Sequence, residues 1–159
     1  EFRRVLFRSE YKKLDNTVIK DIAEYLKTLL TVMPQSKIYI GTDSQNKDNN
    51  IIFVTAIVVH INNNNGGHVL YAKDKLPRIK DKFQRLWDEV QRSVDVANYL
   101  KLECGVDIES IDLDLNANTK WDSSKILKPA VGYVESLGYK VRYKPGATYA
   151  TRIADVLCR

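Results

Sequence analysis

Apolar residues recur at helical spacing near the start of the chain: Leu14, Val18, Ile22, Tyr25, Leu26, Leu29, Leu30 and Met33. The stripe predicts an amphipathic helix that ends before Pro34, because a proline disfavours helical backbone in the residue before it. The pattern then changes. Residues 37–45 read KIYIGTDSQ, a short alternating run that closes on an acid. After a polar turn, IIFVTAIVVHI at 51–61 is rich in β-branched residues and apolar on both faces, which predicts a central strand. NNNNGG at 62–67 signals a reversal, since Asn and Gly tolerate positive φ, and HVLYAK at 68–73 returns as a third strand.

Residues 80–101 carry a second helical stripe, Phe83, Trp87, Val90, Val94 and Ala97, widened by Leu86 and Leu100 and followed by Gly105. ESIDLDLN at 109–116 alternates, with Ile111, Leu113 and Leu115 on one face and Asp112, Asp114 and Asn116 on the other. A helix over 122–137, capped by Asp122 and stopped by Gly138, leads to a fifth strand, YKVRYK, at 139–144. ATYATRIADVLCR closes the chain as a helix. The order β-β-β-α-β-α-β-α behind one leading helix predicts an α/β fold. Its mixed five-stranded sheet has three antiparallel strands, then alternating helices and strands, with helices on both faces.

Composition narrows the picture modestly. The 159 residues suit one domain with a sizeable core. The first nine, EFRRVLFRS, have neither period and look like a translated sequencing adaptor, so the domain is taken as 10–159. The formal charge of +5 stays mildly positive without them, which permits a polyanionic partner. No apolar run approaches the roughly 18 residues that a membrane span needs. Cys104 and Cys158 show no metal or redox spacing, and two free thiols point to a reducing, cytoplasmic setting.

Candidate chemistry begins at Asp43. Aspartate is a poor strand former, so its position at a strand end marks either a turn or a needed carboxylate. Residues 112–123 imitate a calcium loop only in their first half, and Ala117, Lys120 and Ser123 break the pattern. The same stretch also has the Asp-x-Asp of aspartyl phosphatases, but too little chain follows it. His60 and His68 flank the Asn-rich reversal, too few for a zinc site. Lys140, Arg142 and Lys144 alternate on the fifth strand, with Arg152 beyond. Such a row suits a phosphate backbone, or equally a solvated edge strand.

The element order, the GTDSQ of residues 41–45, the RLWDE of residues 85–89 and the LDL of residues 113–115 together resemble the ribonuclease H-like superfamily, in particular the bacterial YkuK-like group. The resemblance spans residues 37–159. It implies a carboxylate cluster holding two divalent ions, Mg²⁺ or Mn²⁺. Asp43 would bridge both, Glu89 and Asp114 would hold one, and Asp155 the other. It further implies a metal-dependent nuclease acting on RNA, DNA or a hybrid. The candidate substrate contacts are Ser44 and Gln45 beside Asp43 and the cations Lys140, Arg142, Lys144 and Arg152. The alternative is a non-catalytic nucleic-acid-binding or interaction module on the same fold.

On a helical wheel Glu89 falls beside Leu86, Ser93 and Leu100, at the border of the core stripe, while Asp88 points away. Asp112 and Asp114 share a strand face, so either could be the strand acid, and Asp114 fits the family spacing better. Asp155 lies off the Ala150, Ile153, Ala154 and Leu157 stripe, beside Thr148, Thr151 and Arg152, where pairing with Arg152 is an equal reading.

Overall fold

The structure, a computed structural model, describes residues 9–61, 66–146 and 148–159. Most of the adaptor-like leader and residues 62–65 of the Asn-rich reversal lie outside the described residues. The strands are β1 (Tyr11–Lys13), β2 (Val18–Ile19), β3 (Lys37–Lys47), β4 (Asn50–His60), β5 (Gly67–Pro77), β6 (Ser110–Asn116) and β7 (Val141–Lys144). The helices are α1 (Ile22–Val32), α2 (Lys82–Asn98), α3 (Ser124–Ser136) and α4 (Tyr149–Cys158). They build one mixed sheet in the order β2-β1-β5-β4-β3-β6-β7. β3, β4 and β5 form the expected antiparallel meander, and β6 and β7 add in parallel beyond β3.

The sheet has seven strands among the described residues rather than five, because the expected leading helix begins late. Residues 11–19 form a hairpin instead, joined to β5 through Lys12↔Tyr71 and Lys13↔Leu70. Asp15 and Asn16 make its turn: Asn16 takes φ 68°, and the Thr17 N–H donates to Asp15 Oδ1 at 2.9 Å. These residue types favour turns over helix interiors. Leu14 and Val18, counted toward the helical stripe, are therefore exposed, whereas Tyr11 is buried. α1 starts at Ile22, capped by Asp21, whose Oδ1 accepts from the Glu24 N–H at 3.1 Å.

α1, α2 and α3 cover one sheet face. Leu26, Val90, Val94, Leu100, Ala130 and Val134 pack there against Ile38, Ile40, Ile57, Leu70, Ile111 and Leu113. α4 covers the other, with Ala150, Ala154 and Cys158 against Tyr39, Val54, Ala56 and Val58. α2 widens into a π-helical turn, Tyr99–Glu103, before Gly105 at φ 66°. Gly138, at φ 91°, follows α3 as expected. The α3 N-cap is Ser123 rather than Asp122, whose carboxylate faces Lys82 at 3.4 Å. No helix among the described residues is long and apolar enough to cross a membrane.

Candidate active site

Side chains alternate along a strand, so Tyr39, Gly41 and Asp43 of β3 leave the face that α4 covers, while Thr42 and Ser44 leave the α2 face. The parallel register Tyr39↔Ser110 and Gly41↔Asp112 gives Ser110, Asp112 and Asp114 of β6 the same face as Asp43. Gly41 is required by the close approach of α4: a Cβ there would stand 2.8 Å from Thr151 N and 2.9 Å from Ala150 Cβ. On the opposite face Thr42 Oγ1 lies 2.8 Å from Ser93 Oγ and 3.2 Å from Thr55 Oγ1, tying β3 to α2 and β4.

Asp43 is buried between these contacts, and its Oδ1 accepts from the Ser44 N–H at 2.8 Å. Burial raises its pKa to about 7, followed by the negative charge of Asp114; Asp155 and a hydrogen bond shared with the Asp114 carboxyl add to the rise, while the Ser44 N–H opposes it. Glu89 is also buried, and Ser44 Oγ donates to its Oε1 at 2.5 Å. Its carboxyl is pushed well above the ordinary range by burial first and by the charge of Asp43 next. The helix-wheel border position thus turns inward, while Asp88 accepts from the Gln84 side chain on the exposed flank of α2. Arg85, one turn before Glu89, keeps its Nε buried without a hydrogen-bond partner among the described residues.

The two strand-six acids differ completely. Asp112 accepts from Arg142 Nε at 2.8 Å and Nη2 at 2.7 Å, from Ser110 Oγ at 3.0 Å, and from the Ala150 N–H at 3.0 Å. A bidentate guanidinium plus a helix N-terminus saturates this buried carboxylate and clamps α4 to the sheet. Asp114 instead stands beside Asp43 at the end of β6, in an ion pair with Lys144 Nζ. Burial works to lower the Lys144 ammonium, but the hydrogen bond to Asp114 and the charges of Asp114, Asp43 and Asp155 hold it above its usual value.

Asp155 joins the cluster electrostatically through Asp43 and Lys144. Its direct partner is Arg159 Nη2 at 2.6 Å, one turn on, and not the exposed Arg152. Cys158 lies beneath Asp43, donating to its carbonyl at 3.4 Å. Burial, then the charges of Asp43 and Glu89, raise the thiol to about 12, which leaves it unreactive.

The cations expected to track a phosphate backbone are not a free row. Arg142 is spent on Asp112 and lies 4.1 Å from the Tyr39 ring centroid and 4.5 Å from that of Tyr149. Lys144 turns into the acidic cluster, leaving Lys140 exposed near Glu109 at 4.0 Å. A spacing rule assigns a face but cannot see a buried carboxylate on the neighbouring strand. His60 and His68 also separate: Val59, not His60, is opposite His68, so the two imidazoles leave opposite faces. Gln45, two residues after Asp43 on β3, is exposed.

Among the described residues no group of three or more His, Cys, Asp or Glu is arranged to hold a metal ion. The donor chemistry nevertheless suits a hard divalent cation, since the convergent groups are carboxyl oxygens whose mutual repulsion a cation would relieve. A search of curated proteins finds no match for the chain. A family profile described as Ribonuclease H-like matches residues 17–159, nearly the whole described chain and twenty residues more at its start than the motif resemblance covers. The chain belongs to the ribonuclease H-like family.

Proposed function

We propose that this protein is a divalent-metal-dependent nuclease hydrolysing phosphodiester bonds in RNA, DNA or an RNA–DNA hybrid. The observation that carries the reading is the convergence of Asp43 with Asp114 and Glu89 at one end of the sheet, where burial and the charge of Asp114 raise Asp43 to about 7, and burial and the charge of Asp43 push Glu89 well above the ordinary range. Asp43, Glu89 and Asp114 would hold Mg²⁺ or Mn²⁺, with Asp155 at the margin; the family resemblance implies two ions. When bound, such ions lower the pKa of water and stabilise a leaving oxygen in phosphodiester cleavage. Ser44 orients Glu89 through its hydroxyl. Gln45, Lys140 and Arg152 are exposed and free to meet a polyanionic backbone, whereas Arg142 serves substrate only indirectly, by fixing α4. The buried free cysteines keep with a cytoplasmic setting.

A second reading, a nucleic-acid-binding module without catalysis, draws on the Lys144–Asp114 and Arg159–Asp155 pairs, which neutralise two of the four acids. Incubating wild-type protein with single-stranded RNA, duplex DNA and a hybrid in Mg²⁺, Mn²⁺ or chelator separates the two. Metal-dependent cleavage of any of them supports the nuclease; binding without cleavage in every metal supports the module.

A further inference from the structure

We propose that Arg85 is the residue that grips the substrate's phosphodiester beside the carboxylate cluster; this rests on the nuclease reading above. Residues four apart on a helix share one face, so Arg85 stands one turn before Glu89 on the flank of α2 that meets β3. Two contacts bracket it. Ser44 Oγ donates to Glu89 Oε1 at 2.5 Å, and Asn46 Nδ2 donates to the Ile79 carbonyl, just ahead of α2, at 3.3 Å. Arg85 therefore lies along the strand end that follows Asp43. Its charge reaches Glu89, where it opposes the rise that burial and Asp43 impose on that carboxyl.

The guanidinium has no protein partner in that place. Ser36 Oγ, Asn46 Oδ1, Arg85 Nε and Thr148 Oγ1 are the buried side-chain atoms without a hydrogen-bond partner among the described residues, and only Arg85 Nε belongs to a charged group. An unmet donor costs more when it is charged, so this one is built to meet an acceptor from outside. The other cations around the cluster are engaged: Arg142 with Asp112, Lys144 with Asp114 and Arg159 with Asp155. Ionised carboxylates repel an approaching phosphodiester, and an uncommitted cation next to them supplies the attraction that holds it. Arginine suits the task, because its planar fork of N–H donors, Nε–H among them, matches phosphate oxygens two at a time.

The test is fluorescence anisotropy in chelator, at several salt concentrations, with labelled single-stranded RNA, duplex DNA and RNA–DNA hybrid. It compares wild type with Arg85→Ala, Arg85→Met, Arg85→Lys and Lys20→Ala. Lys20 is exposed, next to the opposite edge strand of the sheet, and controls for the loss of one positive charge. Arg85→Ala and Arg85→Met should each weaken binding at least about tenfold and lower the salt slope by about one, while Lys20→Ala matches wild type. Arg85→Lys should keep the slope at an intermediate affinity, having the charge without the fork. Arg85→Met keeps the buried stem and should melt no lower than wild type, so that a fold requirement is told apart from a substrate contact. Wild-type affinity and slope in Arg85→Met, or a loss no larger than that of Lys20→Ala, overturns the proposal. So does wild type that binds none of the three in chelator. The nuclease reading falls separately, on absence of cleavage in both Mg²⁺ and Mn²⁺.

Discussion

The Ser44 hydroxyl donates to Glu89 Oε1 at 2.5 Å, joining the strand that carries Asp43 to the helix that carries the second acid. Both residues are buried, so Ser44→Ala should leave Glu89 without its donor and cost about 1–3 kcal/mol, read by denaturant unfolding. Glu89→Gln keeps an acceptor for Ser44 and should be nearly neutral in stability. Its cleavage rate should nevertheless fall at least about a hundredfold, roughly 2.7 kcal/mol of barrier. Asp88→Asn should cleave like wild type, because that carboxylate accepts from the Gln84 side chain on the exposed flank of α2, away from Asp43. Equal losses in the Asp88 and Glu89 variants would contradict the inward placement of Glu89.

Asp43 and Glu89 make the metal-free protein sensitive to pH. Both carboxyls have folded-state pKa values raised above their unfolded ones, Asp43 to about 7. A raised acid contributes stability that is complete below its unfolded value near 4 and is lost as pH climbs through the folded value. The metal-free melting temperature should therefore fall between about pH 4 and pH 7. Asp43→Asn should flatten that fall and melt about 3–6 °C above wild type at pH 7.5, for a gain of roughly 1–2 kcal/mol. Glu89 and Asp95, which is raised mainly by burial, keep a residual slope of the same sign. A melting temperature that rises over this range in the metal-free wild type would contradict the buried, mutually repelling pair.

Asp112 and Asp114 should separate cleanly by mutation. Asp112→Ala strands Arg142 and the Ala150 N–H, and should cost about 3–5 kcal/mol in unfolding free energy. Asp114→Asn breaks a pair whose lysine side chain is 44% exposed, so its effect on stability should stay within about 1 kcal/mol while cleavage is lost. Loss of cleavage without loss of stability in an Asp112 variant would exchange the two roles.

How much of this could be read from the sequence depends on the kind of signal. Long periodic runs located β3 to β5, α2 and α4, because burying one face forces the period on the chain. The first-strand hairpin went unseen, since Leu14 and Val18 happen to continue the α1 spacing and only the Asp15–Asn16 pair marks a turn. Gly41 reads as one letter in a motif until the helix backbone lies across it. Strand alternation gave Asp112 and Asp114 one face, but their partners come from β7 and α4, more than twenty-five residues away, and no local pattern records such pairings. The same blindness made Lys140, Arg142 and Lys144 look equivalent.

The most direct test of a nuclease centred on Asp43 is the single-turnover cleavage rate of wild type against Asp43→Asn. It uses whichever nucleic acid wild type cuts in Mn²⁺, with both proteins shown to be folded. Wild type should cleave only with the metal present, and the variant should be slower by about a thousandfold or more, at least roughly 4 kcal/mol of barrier. Cleavage that persists in chelator, or that proceeds equally in both proteins, would contradict a catalytic role for the carboxylate cluster.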